Sequence, residues 1–233
     1  MSYEFDFGVV LSGEYLDWLI RGTIVTVQLA GVSLVLALAL GVAVAVCRLA
    51  PFRPLNWLAA SYVEFVRNTP LLVQMLFWYF GATEVLPDRF TQWLYEGNFE
   101  FVAAAIALIM YTAAFISEDV RSGIRSIPRE QMEAARASGL RFLQAMRYVV
   151  LPQALRITVP PLINQALNVT KNSSLAMAIG VAELTYRTRE IEAYTFKAFE
   201  AFAACTTIYL ALSLIITGAA WWYERSVLQR RPA

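Results

Sequence analysis

The chain has no histidine, and it has only two cysteines and two lysines among its 233 residues. The absence of histidine excludes imidazole metal ligands and histidine proton relays, so we expect no metal site. Cys47 and Cys205 stand alone in apolar surroundings, which predicts buried thiols rather than a disulfide framework. A net charge of +1 creates no overall field for nucleic acid, so we expect no nucleic-acid partner.

Charged residues of both signs are scarce, at 16% of the chain, whereas hydrophobic residues make up 58%. The mean hydropathy of +0.52 is typical of a polytopic membrane protein and rare in a soluble domain of this length. We therefore predict an all-α integral membrane protein in which residues 1–233 form a single transmembrane domain.

Five segments are predicted to cross the bilayer as helices, because a helix satisfies its own backbone hydrogen bonds inside lipid. The clearest is residues 24–47, which carries no charge and would extend about 36 Å at ~1.5 Å per residue. The second predicted span is a helix that starts near Asn56 and is distorted near Pro70. The third runs from Phe99 to about Ser117. The fourth starts after Pro152 and continues through Leu162, and the fifth runs from Ala201 to Tyr223.

Basic residues are distributed unequally between the two sides that these spans define. Thirteen of the nineteen Lys and Arg residues lie in 48–67, 117–156 and 224–233, and five lie on the other side. The Arg-rich side is cytoplasmic by the positive-inside rule. We therefore expect the N-terminus outside and the C-terminus in the cytoplasm.

One charged segment rich in small residues, 128–152, lies in the predicted loop between the third and fourth spans. Pro128 and Pro152 are placed to start and stop a helix. Gly139 would cost about 1 kcal/mol inside that helix, or it marks a turn between two short helices. The pattern alone is compatible with an interfacial connector or with a docking element for a cytoplasmic partner.

The same segment resembles the EAA loop of binding-protein-dependent ABC importer permeases. The matching residues are Glu133, Ala134, Ala135, Gly139, Leu151 and Pro152. Residues 63–80, 117–131 and 158–185 resemble the polar amino-acid branch of that family, and its glutamate/aspartate type is the most similar. The resemblance implies the type I importer permease fold and a multi-pass location in the bacterial cytoplasmic (inner) membrane.

The resemblance also implies a function. The chain is expected to be a permease subunit that translocates a polar amino acid, glutamate or aspartate foremost and otherwise glutamine or a related one. The EAA helix is expected to insert into a groove on a separate ATP-binding subunit. The partners implied are two ATP-binding subunits, a second permease chain (a non-identical homologue or a second copy) and an extracytoplasmic solute-binding protein.

Neither lysine lies in a phosphate-binding loop of the form G-x-x-x-x-G-K-[ST]. No carboxylate pair or nucleophile–base pair is spaced for catalysis either. We therefore expect no enzyme activity and no cofactor in this chain, with ATP bound by the partner subunit.

A group of polar residues interrupts the fourth predicted span. The candidate translocation path consists of Asn164, Asn168, Lys171, Asn172, Ser173 and Ser174. Polar groups at this depth are costly, about 2.5–3.5 kcal/mol for a lysine, so they face a cavity or a neighbouring helix. Either they join helices, with Lys171 paired to a carboxylate or capping backbone carbonyls, or they line a path in which Lys171 offsets an acidic amino acid.

Two further pairs at i,i+3 spacing, Glu64 with Arg67 and Glu118 with Arg121, predict salt bridges. An alternative function is an ion-coupled secondary amino-acid transporter, with Glu64, Lys171 and Glu183 as coupling groups. The inverted repeats common in such folds are not recognisable in the sequence, and five spans suit them poorly.

Overall fold

The computed structural model describes residues 5–81, 84 and 98–228, and their regular secondary structure is all helical. The helices are α1 (Phe7–Val10), α2 (Gly13–Leu49), α3 (Arg53–Arg67), α4 (Leu71–Leu76), α5 (Phe99–Arg125), α6 (Arg129–Ala137), α7 (Phe142–Ala145), α8 (Leu151–Asn172), α9 (Leu184–Thr195) and α10 (Ala198–Tyr223). Further helical turns are a 3-10 helix at Ser173–Ile179 and π-helical turns at Phe77–Gly81, Met146–Val150 and Glu224–Leu228. The predicted all-α class is confirmed for the described residues.

Three of the described helices are long and apolar enough to cross a bilayer: Gly13–Leu49, Phe99–Arg125 and Ala198–Ser226. They contain the first, third and fifth predicted spans. The second predicted span is divided between α3 and α4, and the fourth, in α8, is too polar to meet the same criterion. The five-span topology and the orientation therefore stay predictions.

Helix α2 packs along α5 more extensively than against any other described helix. At Gly41 a Cβ atom would lie 2.6 Å from Ile116 Cγ2, so only a residue without a side chain permits this approach. Ala37 and Ala113 are buried in the same contact. Such small residues let two membrane helices come close enough for extensive van der Waals contact.

The main core lies where α2, α4, α5, α8 and the 3-10 helix meet. Its buried residues include Leu29, Met75, Leu108, Val169 and Ile179. Because the apolar faces of α5 and α8 are held in this core, their polar residues are brought together on an adjacent side.

The predicted distortion at Pro70 is confirmed as a break between α3 and α4. Gln74 spans the break, and its Nε2 donates to the carbonyl oxygens of Val66 at 2.9 Å and Thr69 at 3.1 Å. These carbonyls lose their helical partners at the break, so a side-chain amide replaces the missing backbone donors.

The predicted helix end at Pro152 is wrong. The helix continues from α7 through the π-helical turn Met146–Val150 into α8. Proline lacks an N–H and crowds the carbonyl four residues earlier, and a π-helical turn directly before it loosens the ladder at that point. The alternative of a turn at Gly139 is confirmed, since α6 ends before it and α7 begins after it.

Candidate functional site

A polar cavity of about 240 Å³ lies between α5 and α8. It is lined by Tyr111, Thr112, Phe115, Gln165, Asn168 and Asn172. The α5 residues fall on one helix face, and those of α8 recur at three- and four-residue spacing on the facing side. Two aromatic side chains and three amide side chains give the cavity a mainly polar surface with several hydrogen-bonding groups.

One end of the cavity is closed by a hydrogen bond between the two helices. Gln165 Nε2 donates to Asp119 Oδ2 at 2.8 Å, and Asp119 lies one turn beyond Phe115 along α5. On α3, the guanidinium of Arg67 lies 5.1 Å from the centre of the Phe115 ring. A carboxylate and a cation therefore both stand next to the cavity.

The candidate path residues divide into those that line the cavity, those that are exposed beside it, and the two serines described below. Asn168 and Asn172 line the cavity, whereas Asn164 and Lys171 lie exposed on the neighbouring side of α8. The pairing of Lys171 with a carboxylate is not seen among the residues that the structure describes.

The two serines at the end of the candidate path bind their own backbone. Ser173 Oγ donates to the Thr170 carbonyl and Ser174 Oγ donates to the Lys171 carbonyl, both at 2.7 Å. Both hydroxyls therefore donate to backbone carbonyls where α8 becomes a 3-10 helix. Neither serine lines the cavity.

The α5 wall of the cavity was not among the predicted site residues. Tyr111 and Thr112 are hydrogen-bonding residues in an otherwise apolar span, and that was the available signal. Gln165 was recognisable as part of the polar cluster, but its partner Asp119 is 46 residues away, and no local pattern pairs them.

The segment that resembles the EAA loop forms a helix–turn–helix. Gly139 has a φ of 89°, its N–H donates to the Arg136 carbonyl at 3.0 Å, and the Leu140 N–H donates to the Ala135 carbonyl at 3.2 Å. This is the Schellman arrangement that ends a helix with a left-handed residue. Glycine adopts that conformation without the steric cost that a side chain imposes.

The residues of this segment differ in exposure. Glu133, Ala134 and Gly139 are exposed, and Ala135 is buried. The remaining two predicted residues, Leu151 and Pro152, are exposed in the first turn of α8. A Cβ atom added at Gly139 would meet nothing within 4 Å, so the turn leaves open space outside it.

A charge network connects α2 to α5 near the Arg67 end of the cavity. Glu118 pairs with Arg121 at 2.8 Å, as predicted, and it also pairs with Arg48 at the end of α2. The predicted Glu64–Arg67 salt bridge is wrong. Arg67 faces the Phe115 ring, and Glu64 Oε2 accepts from Asn68 Nδ2 at 3.3 Å.

Glu183 is fully buried and begins α9 as its N-cap. Its carboxylate accepts from the N–H groups of Thr185 and Tyr186 and from the hydroxyls of Tyr209 and Thr26. The contacts assign this carboxylate to joining α9, α2 and α10.

Within the described part of the chain, no group of three or more Cys, Asp and Glu side chains is arranged to hold a metal ion.

Comparison with known proteins identifies relatives over nearly the whole chain. Residues 37–229 match the family described as binding-protein-dependent transport system inner membrane component. The glutamate/aspartate import permease protein GltJ of Escherichia coli (strain K12) is 35% identical over 97% of this chain and 96% of its own length. The probable glutamine ABC transporter permease protein GlnM of Bacillus subtilis (strain 168) is 43% identical over 75% of this chain and 77% of its own.

Solved structures agree with this relationship. A chain in the crystal structure of an amino acid ABC transporter with histidines superposes with a TM-score of 0.86 at 30% identity, covering 97% of this chain and 100% of that one. A chain of the inward-facing MetNI methionine ABC transporter shares the fold, with a TM-score of 0.75 at 22% identity over 93% of this chain and 99% of that one. The chain therefore belongs to the family of inner membrane components of binding-protein-dependent transport systems, which confirms the family and the inner-membrane location that the sequence predicted.

Proposed function

We propose that this chain is the permease subunit of an ABC importer that translocates a polar amino acid, glutamate or aspartate foremost and otherwise glutamine or a related one. ATP hydrolysed on a separate subunit drives the transport. The observation that carries this proposal is the exposed helix–turn–helix at 129–145, which presents the EAA pattern with Gly139 at its turn.

In the proposed topology five spans cross the membrane, with the N-terminus outside and the C-terminus in the cytoplasm. Helices α3 and α4 together form the second span, broken at Pro70, and α8 forms the fourth. Broken and polar helices are tolerated at membrane depth where they line a cavity, and both adjoin the polar cavity here. In this orientation the Gln165–Asp119 bond lies at the cytoplasmic end of the cavity.

As a member of a permease family, the chain is a transport component and not an enzyme on its own. We propose that ATP binds to two partner subunits and that no cofactor binds to this chain. A groove on each ATP-binding subunit receives α6 and the Gly139 turn. Glu133 supplies a polar contact, and Ala134 and the open space beyond Gly139 permit a close fit. A second permease chain, a non-identical homologue or another copy, completes the pore, and an extracytoplasmic solute-binding protein delivers the amino acid.

The cavity and the adjoining face of α8 support a polar amino acid as the solute. Asn168 and Asn172 offer amide donors and acceptors, and Lys171 supplies an exposed positive charge one turn from Asn168. A carboxylate is a natural partner for a lysine and for amide N–H groups. Similarity to a glutamate/aspartate permease over 97% of the chain favours an acidic solute.

The test is a mild-detergent purification of the chain from its own membrane, comparing the wild type with Gly139→Asp. Aspartate tolerates left-handed backbone better than most residues, and its Cβ has room at this position, so the variant should insert and fold. Gly13→Asp is the matched control, because Gly13 also has a positive φ, 57°, with nothing within 4 Å of its Cβ.

We expect ATPase activity to copurify with the wild type and with Gly13→Asp, and to be lost with Gly139→Asp. Retention of ATPase activity and of wild-type uptake by Gly139→Asp would contradict docking through this turn. Absence of ATPase activity from every sample, with uptake that depends on an ion gradient, would favour a secondary transporter instead.

A further inference from the structure

Aromatic side chains of the N-terminal segment, of α2 and of the α9–α10 region form two contacting clusters near the α1 end of the helix bundle. The group, which we call the outer aromatic patch, consists of Phe5, Phe7, Trp18, Tyr194, Phe196 and Phe199. The Phe199 ring lies 5.1 Å from that of Phe5 and 6.3 Å from that of Phe7. Trp18 on α2 contacts Tyr194 on α9, with ring centres 5.7 Å apart.

The patch is exposed, and its most exposed member occupies an unfavourable backbone position. Phe196 is 84% exposed, and it adopts a φ of 54° in the turn between α9 and α10. Bulky residues seldom occupy the left-handed region, where glycine or asparagine is usual. A phenylalanine here is costly both in its backbone and in its exposure to water.

A buried carboxylate lies beneath the patch. Glu200 is fully buried and accepts from the Asp6 N–H at 2.8 Å, and Lys197 Nζ lies 3.8 Å from the Glu200 carboxylate. Asp6 Oδ1 accepts from the Gly8 N–H at 3.0 Å at the start of α1. These contacts join the segment before α1 to α10 beneath the aromatic rings.

The patch continues an exposed apolar surface of α10. On α10, Phe199 begins an exposed apolar stripe that runs through Phe202, Leu210 and Leu214. In an inner-membrane protein, exposed apolar residues along a spanning helix are suited to contact with lipid, and the patch lies at the Phe199 end of this stripe.

We propose that the outer aromatic patch binds the lipid surface itself, with its rings at the boundary between headgroups and acyl chains. Aromatic side chains are enriched at this depth because an apolar ring can be buried there beside polar headgroups. Helix α1 then lies in the plane of the interface, and Phe196 and Phe199 hold the α9–α10 turn against the membrane. The proposed orientation assigns the patch to the outer leaflet, but lipid contact does not depend on that assignment.

The experiment places a nitroxide label at position 196 through Phe196→Cys, with Cys47 and Cys205 replaced by alanine. The transporter complex is reconstituted in vesicles of phosphatidylethanolamine and phosphatidylglycerol. Collisions of the label with oxygen, which concentrates in lipid, are compared with collisions with a water-soluble nickel chelate. Arg189→Cys is the matched control, because Arg189 is a charged residue exposed on α9 next to Glu190.

We expect the oxygen-to-nickel collision ratio at 196 to be several-fold higher than at 189. Phe199→Cys, which lies in regular helix, should give the same high ratio and does not alter the strained turn. Equal ratios at 196 and 189 would overturn the proposal. A second result would also overturn it: collisions with nickel at 196 that are frequent in the transporter alone and fall when the solute-binding protein is added. The patch would then be a protein-docking face. None of these readouts requires transport, so they test the anchor independently of the proposed function.

Discussion

At the scale of single residues, Lys171 is exposed at the end of α8, beside the amides of Asn168 and Asn172. A lysine in a membrane span, as proposed for α8, is costly unless it faces a polar cavity or contacts a solute. Its side chain is therefore the most direct test of which amino acid the chain carries.

We predict that Lys171→Gln weakens uptake of glutamate or aspartate more than uptake of glutamine. Loss of a hydrogen bond between charged groups corresponds to roughly a tenfold effect or more. Competing uptake of the three labelled amino acids, measured in the same cells, gives the ratio. Lys197→Gln is the control, because Lys197 lies near the buried Glu200 and away from the cavity. Equal losses for acidic and amide solutes would assign Lys171 a structural part only.

The Gln165–Asp119 hydrogen bond gives a second prediction at this scale. Gln165→Leu leaves a half-buried carboxylate without its amide donor and should lower the free energy of unfolding by about 1–3 kcal/mol. Adding Asp119→Leu should restore much of that loss, because replacing both partners with apolar groups can be nearly neutral. Thermal unfolding of the three variants in detergent measures this. A double variant that is less stable than Gln165→Leu alone would contradict the pairing.

At the scale of elements, the Gln74 side chain bridges the break between α3 and α4. Gln74 donates to two carbonyls that the break leaves without backbone partners. The break places Arg67 next to Phe115 and the polar cavity. The stability of this element is therefore linked to the geometry of the candidate path.

We predict that Gln74→Leu lowers the free energy of unfolding by about 1–3 kcal/mol, because two backbone carbonyls lose their donor. Gln28→Leu is the matched control, since Gln28 is exposed on α2, and it should have little effect. Denaturation of both variants in the same detergent gives the comparison. Equal stabilities would show that water satisfies the carbonyls at the break.

At the scale of the whole molecule, the number of spans decides which side each loop occupies. With only the three long apolar helices in the membrane, two crossings would separate Ser12 from Ser138, and both residues would lie on the same side. With five spans, three crossings separate them. We predict that Ser12→Cys reacts with an impermeant maleimide in intact cells and that Ser138→Cys reacts only after permeabilisation, in a background without the natural cysteines. Reaction of both in intact cells would contradict the five-span topology.

Sequence by itself determined the features that local chemistry controls. Long uncharged runs predict α2, α5 and α10 because lipid excludes charge and requires internal hydrogen bonding. Pro70 predicts the break in the second span. Gly139 predicts either a glycine inside a helix or a turn between two short helices, and the turn is the one observed. Each of these depends on residues that are neighbours along the chain.

Tertiary structure alone decided which polar groups meet. Helical periodicity places Gln165 on one face of α8, but Asp119 becomes its partner only because α5 packs against that face. Arg67 was within reach of Glu64 on its own helix and instead lies over Phe115, and the hydroxyl of Ser173 binds its own helix. Pro152 continues a helix because a π-helical turn precedes it. The physical reason is common to these cases: sequence spacing fixes the face of a helix that a residue occupies, and only packing against distant segments fixes what that face meets.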